Sequence, residues 1–183
     1  MPNKNRNIII VGLGNPDVKY ANTRHNVGHM VVDALNKVTG DKVQGIVIKK
    51  TDVFMNNSGE AVKRLITNHT FDKLSAGHSL ITDLYVVHDD LDIPLGQFKI
   101  QFGKGPKDHN GIKSVEEELG TKEFWRIRVG IENRVQGTHS TSSGQAGDRV
   151  QGEEYVLQNF LPEEKKIIEN VTREIATRLR ELK

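Results

Sequence analysis

Two side chains of the sequence could together activate a water molecule. His25 stands just before a predicted amphipathic helix, and Asp89 directly follows a predicted buried strand. An imidazole is a base near neutral pH, and a neighbouring carboxylate can fix the tautomer and the orientation of its ring. A histidine near a helix start is more commonly a surface or capping residue, so the pair can do chemistry only if the fold brings the two residues together.

The acidic residues around Asp89 allow two other interpretations. Residues 88–90 could be an acidic turn that ends a strand. Asp89, Asp90 and Asp92 could instead suggest a metal site, but they lack the further ligands and the spacing of a calcium-binding loop. The sequence therefore predicts no metal.

Three further loops carry asparagines that could contact a substrate. Asn15 follows the first predicted strand, while Asn56 and Asn110 each precede a predicted helix. The plainer interpretation is a tight turn for the first loop and helix caps for the other two, with a capping box from Asn57 to Glu60 and with Asn110 as a capping residue. On the functional interpretation the amides bind substrate, and Asn110 with nearby backbone N–H groups stabilises an oxyanion or holds a water.

The glycine-rich turn at residues 12–16 does not fit a nucleotide-binding fingerprint. Asp17 follows Pro16 where a third glycine would be needed, and the proline removes one N–H that could bind phosphate. The sequence also lacks a P-loop motif. A nucleotide-dependent α/β enzyme is therefore a weaker alternative, which tight binding of a nucleotide would revive.

The elements that must position these loops alternate along the chain. Apolar and β-branched runs predict strands at residues 7–11, 45–48, 84–88, 97–102 and 126–131. Apolar residues at helical spacing predict helices at residues 27–39, 57–66, 112–119 and 162–183. This order predicts one α/β domain over residues 1–183, with a mixed, mostly parallel sheet flanked by helices and a C-terminal amphipathic helix. The polar loops should then meet at one edge of the sheet.

Composition excludes several classes of protein. The 183 residues are 36% hydrophobic and 27% charged, which is typical of one globular domain, and no apolar run approaches a membrane span. The absence of cysteine excludes disulfides and cysteine-ligated metals. The net charge is only +2, so contact with nucleic acid would need a local basic patch. Residues 135–152 are rich in Ser, Thr, Gly and Gln, and this predicts a flexible loop.

Taken in order, these motifs resemble bacterial-type peptidyl-tRNA hydrolases. The resemblance covers residues 8–182 and includes Tyr20 and five motifs in register, at residues 12–16, 23–28, 54–59, 88–92 and 109–111. It implies an enzyme that cuts the ester bond between a peptide and its tRNA, with no cofactor, no metal and no covalent intermediate. The protein is expected to act away from membranes as a monomer, in the cytoplasm or in a mitochondrion.

The resemblance also implies a role for each matched residue. His25 would be the base that activates water, and Asp89 would hold the other ring nitrogen. Asn15 and Asn56 would position the peptide end and the attacked carbonyl, while Asn110 would orient the water or the oxyanion. The expected catalytic residues are His25, Asp89, Asn15 and Asn110, and the expected substrate-binding residues are Tyr20, Phe54, Met55, Asn56 and Asn110.

Basic residues near the last motif are candidates for holding the tRNA. We predict phosphate contacts from Lys99, Lys107, Lys113 and Arg128, although solvated surface charges are the plainer interpretation. Phosphate contacts would be sensitive to salt and indifferent to base sequence, which suits an enzyme that serves many tRNAs. The principal alternative is an RNA-binding protein on the same scaffold, which would bind tRNA without cleaving the ester.

Overall fold

The computed structural model describes residues 8–39, 46–70, 84–134 and 147–180. Within these residues the strands are β1 (Ile8–Gly12), β2 (Ile46–Lys50), β3 (Leu84–Pro94), β4 (Phe98–Phe102) and β5 (Trp125–Glu132). The α-helices are α1 (Val27–Thr39), α2 (Ser58–Thr70), α3 (Asn110–Leu119), α4 (Gly147–Val156) and α5 (Pro162–Arg180).

The strands form one sheet in the order β2-β1-β3-β5-β4. Every neighbouring pair is parallel except β4 with β5, which is antiparallel. The predicted mixed and mostly parallel sheet is therefore confirmed. β1 lies between β2 and β3, and all five residues of β1 are buried because helices cover both faces of the sheet.

Alternating side chains divide the core into two layers. Ile8 and Ile10 of β1 pack with α1 and α5 on one face of the sheet. Ile9 and Val11 point to the other face, where they pack with apolar residues of α2 and α3. The α5 stripe contributes Ile168, Val171, Ile175 and Leu179 to the first layer, so the predicted amphipathic helix is confirmed over Pro162–Arg180.

The third strand is longer than the sequence predicted, and this changes where its acidic residues lie. β3 continues to Pro94, so Asp89 and Asp90 are strand residues and not part of a turn after the strand. Their carboxylates can be buried in the sheet because each has charged or polar partners. Asp90 pairs with Arg128 of β5, and Asp89 accepts hydrogen bonds from two histidines. Gly12 at the end of β1 pairs with Val87, so Asp89 lies beyond the end of its neighbour strand.

Part of the predicted flexible loop is helical. Residues 147–152 belong to α4, so the prediction of a loop is wrong there, while residues 135–146 lie outside the described residues. The polar composition of this stretch gives no helical apolar stripe. The helix is anchored instead by a residue beyond the stretch, Tyr155, which is buried and donates its hydroxyl to the Ile131 carbonyl oxygen over 3.0 Å.

Short 3-10 turns lead into two of the helices. Arg24–Asn26 precedes α1 and Met55–Asn57 precedes α2, so Asn57, predicted as the first residue of a capping box, is itself part of a turn. Among the residues described, no helix is long and apolar enough to cross a bilayer.

Candidate active site

His25 and Asp89 are brought together at the edge of the sheet where β1 ends. Nδ1 of His25 lies 2.9 Å from Oδ1 and 3.1 Å from Oδ2 of Asp89. The buried Asp89 carboxylate can only accept a hydrogen bond, so Nδ1 carries the proton and Nε2 is the unprotonated nitrogen. The His25 side chain keeps 13% of its surface exposed, whereas Asp89 keeps 3%. The exposed part of the ring is therefore available to a substrate.

A second histidine, His109, contacts the same carboxylate. Its Nε2 lies 2.9 Å from Oδ1 of Asp89, and its Nδ1 accepts the backbone N–H of Ile112 over 3.2 Å. Because Nδ1 accepts, the ring proton is on Nε2 and is donated to Asp89. His109 is also the N-cap of α3, which corrects the prediction that Asn110 caps this helix.

His109 belongs to one of the motifs found in the sequence, but no role was predicted for it. Its signal was its position in the loop that also holds Asn110, directly before a predicted helix. Spacing along the chain could not place it 2.9 Å from a residue twenty positions earlier.

Burial and charge act in opposite directions on the pKa of each member of the pair. Burial of His25 lowers its pKa, but the charge and hydrogen bond of Asp89 outweigh burial, so the pKa lies above the usual 6.5. Burial of Asp89 would raise its pKa, yet the charges and hydrogen bonds of His25 and His109 hold it well below the usual range. Asp89 is therefore an anion, placed where it can orient the His25 ring and stabilise the protonated form of that ring.

Asn15 is held by hydrogen bonds from two loops. Asn26 accepts the Asn15 backbone N–H over 2.9 Å and donates its own amide to the Asn15 carbonyl oxygen over 2.9 Å. The side-chain oxygen of Asn15 accepts the backbone N–H of Met55 over 2.9 Å. This contact fixes the orientation of the Asn15 amide, so its NH₂ group is left to donate to a substrate.

These groups line one cleft with a volume of about 740 Å³. The predicted site residues that line it are Asn15, His25, Phe54, Met55, Asn56 and Asn110. Asp89 lies buried behind His25, and Tyr20 packs edge-on against Phe54 with 6.5 Å between the ring centroids. The structure thus brings the predicted catalytic and substrate-binding residues to one place.

One wall of the cleft was not predicted. α4 and the residue after it contribute Gly152, Glu153, Val156 and Leu157, and Leu91 of β3 also lines the cleft. The sequence predicts a loop at residues 135–152 and no element between them and the helix at residue 162, so it does not indicate this wall.

His25, Asp89 and His109 are also the described residues closest to a metal-ligand set, with one ligand atom of each within 4.8 Å of the others. The hydrogen bonds do not favour a metal. Each histidine directs an N–H at the carboxylate, whereas a ligating nitrogen must present a lone pair. For His109, the Ile112 N–H fixes that tautomer, so binding a metal through Nε2 would break the bond that caps α3.

The four basic residues predicted to contact tRNA lie outside the cleft and differ in their surroundings. The ammonium groups of Lys107 and Lys113 pair with Asp92 and Asp108, at 3.2 Å and 2.6 Å. Arg128 donates to Asp90 and to Gln101, in each case over 2.6 Å, and its side chain is 12% exposed. Lys99 is exposed and pairs in register with Arg128 across β4 and β5.

The fold and the site together define a class of protein. It is an α/β protein in which an anionic carboxylate, buried beyond the end of a neighbouring strand, holds a histidine at a cleft. Among the described residues the second ring nitrogen of this histidine has no hydrogen-bond partner, an arrangement that suits a hydrolase with a general base. The chain belongs to the peptidyl-tRNA hydrolase family, whose model matches residues 9–183.

Curated relatives agree with this assignment, and a solved structure has a similar fold. A peptidyl-tRNA hydrolase of Geotalea uraniireducens is 41% identical over 172 residues, which is 85% of this chain and 79% of that protein. One of Geotalea daltonii is 42% identical with the same coverage. The fold is similar to a crystal structure of peptidyl-tRNA hydrolase from Acinetobacter baumannii, with a TM-score of 0.75, 23% identity, and coverage of 97% of this chain and 89% of that chain.

Proposed function

We propose that this chain hydrolyses the ester bond between the peptide and the tRNA in peptidyl-tRNA, using a water molecule activated by His25. The observation that carries the proposal is the hydrogen bond of 2.9 Å from His25 Nδ1 to Asp89, which leaves Nε2 unprotonated at the cleft. The membership of the family supports the reaction and the substrate. The geometry of the cleft supports the role of each side chain.

The proton moves in two steps. Nε2 of His25 takes a proton from water as the hydroxide attacks the ester carbonyl, and Asp89 stabilises the imidazolium that forms. When the tetrahedral intermediate breaks, the imidazolium gives this proton to the ribose oxygen that leaves. The products are a tRNA with a free hydroxyl and a peptide with a free carboxylic acid, which ionises to the carboxylate by releasing the second proton of the water to solvent. No covalent intermediate is needed. A ribose hydroxyl is a better leaving group than an amine, so a positioned base and an oxyanion site can suffice.

The asparagines supply hydrogen bonds where charge develops. The Asn15 NH₂ group, fixed by the contact from Met55 to its oxygen, donates to the peptide end of the substrate. Asn56 and Asn110 line the same cleft, and Asn110 stands at the first turn of α3, where backbone N–H groups can stabilise the oxyanion. Tyr20, Phe54 and Met55 provide the apolar wall against which the peptide lies.

Lys99 is the strongest of the four candidates for holding the tRNA. It is exposed and has no ion pair among the described residues. Lys107 and Lys113 are exposed enough to exchange their carboxylate partners for phosphate. Arg128 would need to leave the buried Asp90, which makes it the weakest candidate.

We further propose a monomer that acts in the cytoplasm or in a mitochondrion. Sedimentation of the purified chain and fractionation of cells would test this.

The test is hydrolysis of an N-blocked aminoacyl-tRNA by the wild type and by His25→Ala, in the presence of a chelator. Cleavage by the wild type, with turnover lost in His25→Ala and tRNA affinity retained, is the expected result. His69→Ala, at an exposed histidine of α2, is the matched control and should cleave normally. Binding of tRNA without cleavage by the wild type would favour the alternative of an RNA-binding protein on the same scaffold.

A further inference from the structure

The turn that carries His25 is paired with the connection between α4 and α5. The backbone N–H of Arg24 donates to the carbonyl oxygen of Gln158 over 3.0 Å, and the N–H of Phe160 donates to that of Asn22 over 3.0 Å. Between these bonds, Thr23 forms an antiparallel bridge with Asn159. The two segments are separated by more than a hundred residues of chain, so this contact depends on the tertiary fold.

A buried ion pair fastens the same two segments. Arg24 is 4% exposed and Glu164 is 2% exposed. One guanidinium nitrogen of Arg24 donates to both carboxylate oxygens of Glu164, over 2.9 Å and 2.7 Å. The other terminal nitrogen donates to the carbonyl oxygen of Asn159 over 2.8 Å. The side chain adjacent to the proposed base is thus tied to the first turn of α5.

Glu164 has further partners that fix its carboxylate. It accepts the backbone N–H of Leu161 over 2.8 Å, which closes the N-terminus of α5 in the manner of a capping box. It also accepts the side-chain amide of Asn133, just past the end of β5, over 3.2 Å. Both oxygens of this buried carboxylate are therefore used, and three parts of the chain meet on it.

Aromatic rings enclose the arginine. The guanidinium carbon of Arg24 lies 4.2 Å from the ring centroid of Tyr155 and 5.3 Å from that of Phe160. Tyr155 belongs to α4, and its neighbours Val156 and Leu157 line the cleft. Arg24 therefore contacts Tyr155 of α4, the helix that forms one wall of the cleft, and it directly precedes His25 in the chain.

A buried ion pair of this kind is weak grounds for stability, because the cost of removing two charges from water offsets most of their attraction. The pair instead restricts the relative orientation of the two segments, because a planar guanidinium with five donors can pair with a carboxylate in few orientations. We propose that Glu164 is a positioning residue: through Arg24 it fixes the His25 turn against the α4–α5 junction, so that His25 meets Asp89 and faces the α4 wall in one arrangement. The effect on turnover rests on the proposed function, whereas the positioning of the His25 ring does not.

The experiment compares Glu164→Gln and Arg24→Lys with the wild type. Gln keeps the shape of Glu164 without its charge, and Lys keeps the charge of Arg24 without the paired donors. Each variant should lose kcat by roughly 10- to 100-fold, because a small misplacement of a catalytic group has that effect, with KM changed much less. Titration of the His25 ring by NMR should show its pKa moving toward 6.5, because the contact with Asp89 loosens. Glu164→Asp, which keeps the carboxylate, should restore part of the loss.

The control is Glu174→Gln, which removes an exposed ion pair with Arg178 on the same helix and should change neither quantity. If Glu164→Gln does not fold, Arg24→Lys carries the test. Folded variants with lower thermal stability but with wild-type kcat and an unchanged His25 titration would overturn the proposal. The NMR titration needs no turnover, so it still tests the positioning of His25 if His25 proves not to be the base.

Discussion

The Nε2 atom of His109 lies 2.9 Å from the Oδ1 atom of Asp89, the same oxygen that lies 2.9 Å from His25. Asp89 thus accepts hydrogen bonds from two imidazole rings at one oxygen atom. The strength of its hydrogen bond with His25 therefore depends on how strongly the same oxygen interacts with His109. We expect His109 to weaken the interaction of the carboxylate with the proposed base, because both rings contact the same oxygen.

We expect Asp89→Asn to reduce kcat by about 10²- to 10⁴-fold, because an amide can hold the ring in the wrong tautomer. It should also shift the rate profile. The proposed base must be neutral, so kcat/KM rises with pH through the pKa of His25, which Asp89 holds above 6.5. Without the anion, burial of His25 remains and lowers the pKa, so the rising limb should move to lower pH. A profile that stays in place would contradict the role of Asp89.

We expect His109→Asn to shift the same limb in the opposite direction. Asparagine is a good N-cap, so α3 should keep its start, but the shorter side chain cannot donate to Asp89 as His109 does. The carboxylate would then interact more strongly with the His25 imidazolium and raise the pKa of His25 further. The rising limb of kcat/KM should move to higher pH, and His109→Ala should shift it equally while losing about 1 kcal/mol more stability through the lost cap. A shift to lower pH would show that the two rings do not compete.

Acid should destabilise the fold through His29. Burial, aided by the charge of Lys50, lowers the pKa of His29 to about 4. In the unfolded chain His29 becomes protonated as the pH falls below about 6.5. In the folded chain it stays neutral until the pH approaches 4. The contribution of His29 is therefore complete above pH 6.5 and falls by at most about 1.4 kcal/mol per pH unit as the pH drops toward 4.

Urea denaturation at several pH values between 7 and 4.5 would measure this contribution. Other buried groups also titrate, so the test is the difference between the wild type and His29→Gln, which should lose less stability over this range. His69→Gln, at an exposed position on α2, is the control and should follow the wild type. Parallel curves for the wild type and His29→Gln would rule out His29 as a source of acid sensitivity.

We expect Gly28→Ala to destabilise the protein by about 3 kcal/mol or more. A Cβ atom at this position would collide with the backbone oxygens of Leu13 and Val87, where α1 packs directly on β1 and β3. Backbone atoms cannot turn away as a flexible side chain could. Gly152→Ala is the matched control, because its Cβ would meet only Leu91 at an ordinary 3.6 Å. Thermal unfolding of the two variants should differ clearly, and similar melting temperatures would disprove the close approach.

We expect Lys99→Ala to weaken tRNA binding and to reduce the slope of log affinity against log salt by about 1, because one phosphate contact is lost. Arg128→Ala should reduce stability as well, since it leaves the buried carboxylate of Asp90 unpaired. Filter binding at several salt concentrations, with the unfolding temperature of each variant, would separate the two effects. An unchanged salt slope in Lys99→Ala would remove Lys99 from the tRNA interface.

The sequence alone predicted the order of the described strands and of the described α-helices except α4. It could do so because the burial of strands and of helix faces leaves period-two and period-3.6 patterns along the chain. It also indicated His25, Asp89, Asn15, Asn56 and Asn110 as site residues, since polar side chains after strands of a parallel sheet collect at one edge. Their roles in catalysis stay predictions. The extension of β3 through Asp89 and Asp90 was not predictable, because acidic residues are typical of strand ends unless distant partners neutralise them.

Only the tertiary structure decided which distant groups meet. The contact of His109 with Asp89, the buried pair of Arg24 with Glu164, and the α4 wall of the cleft all join residues far apart in the chain. Such contacts leave no periodicity in the sequence, because their energy comes from packing and charge complementarity in three dimensions. From the sequence, Glu164 would be an ordinary solvated charge in the first turn of an amphipathic helix. Its burial beside Arg24 follows from how α5 packs on the sheet.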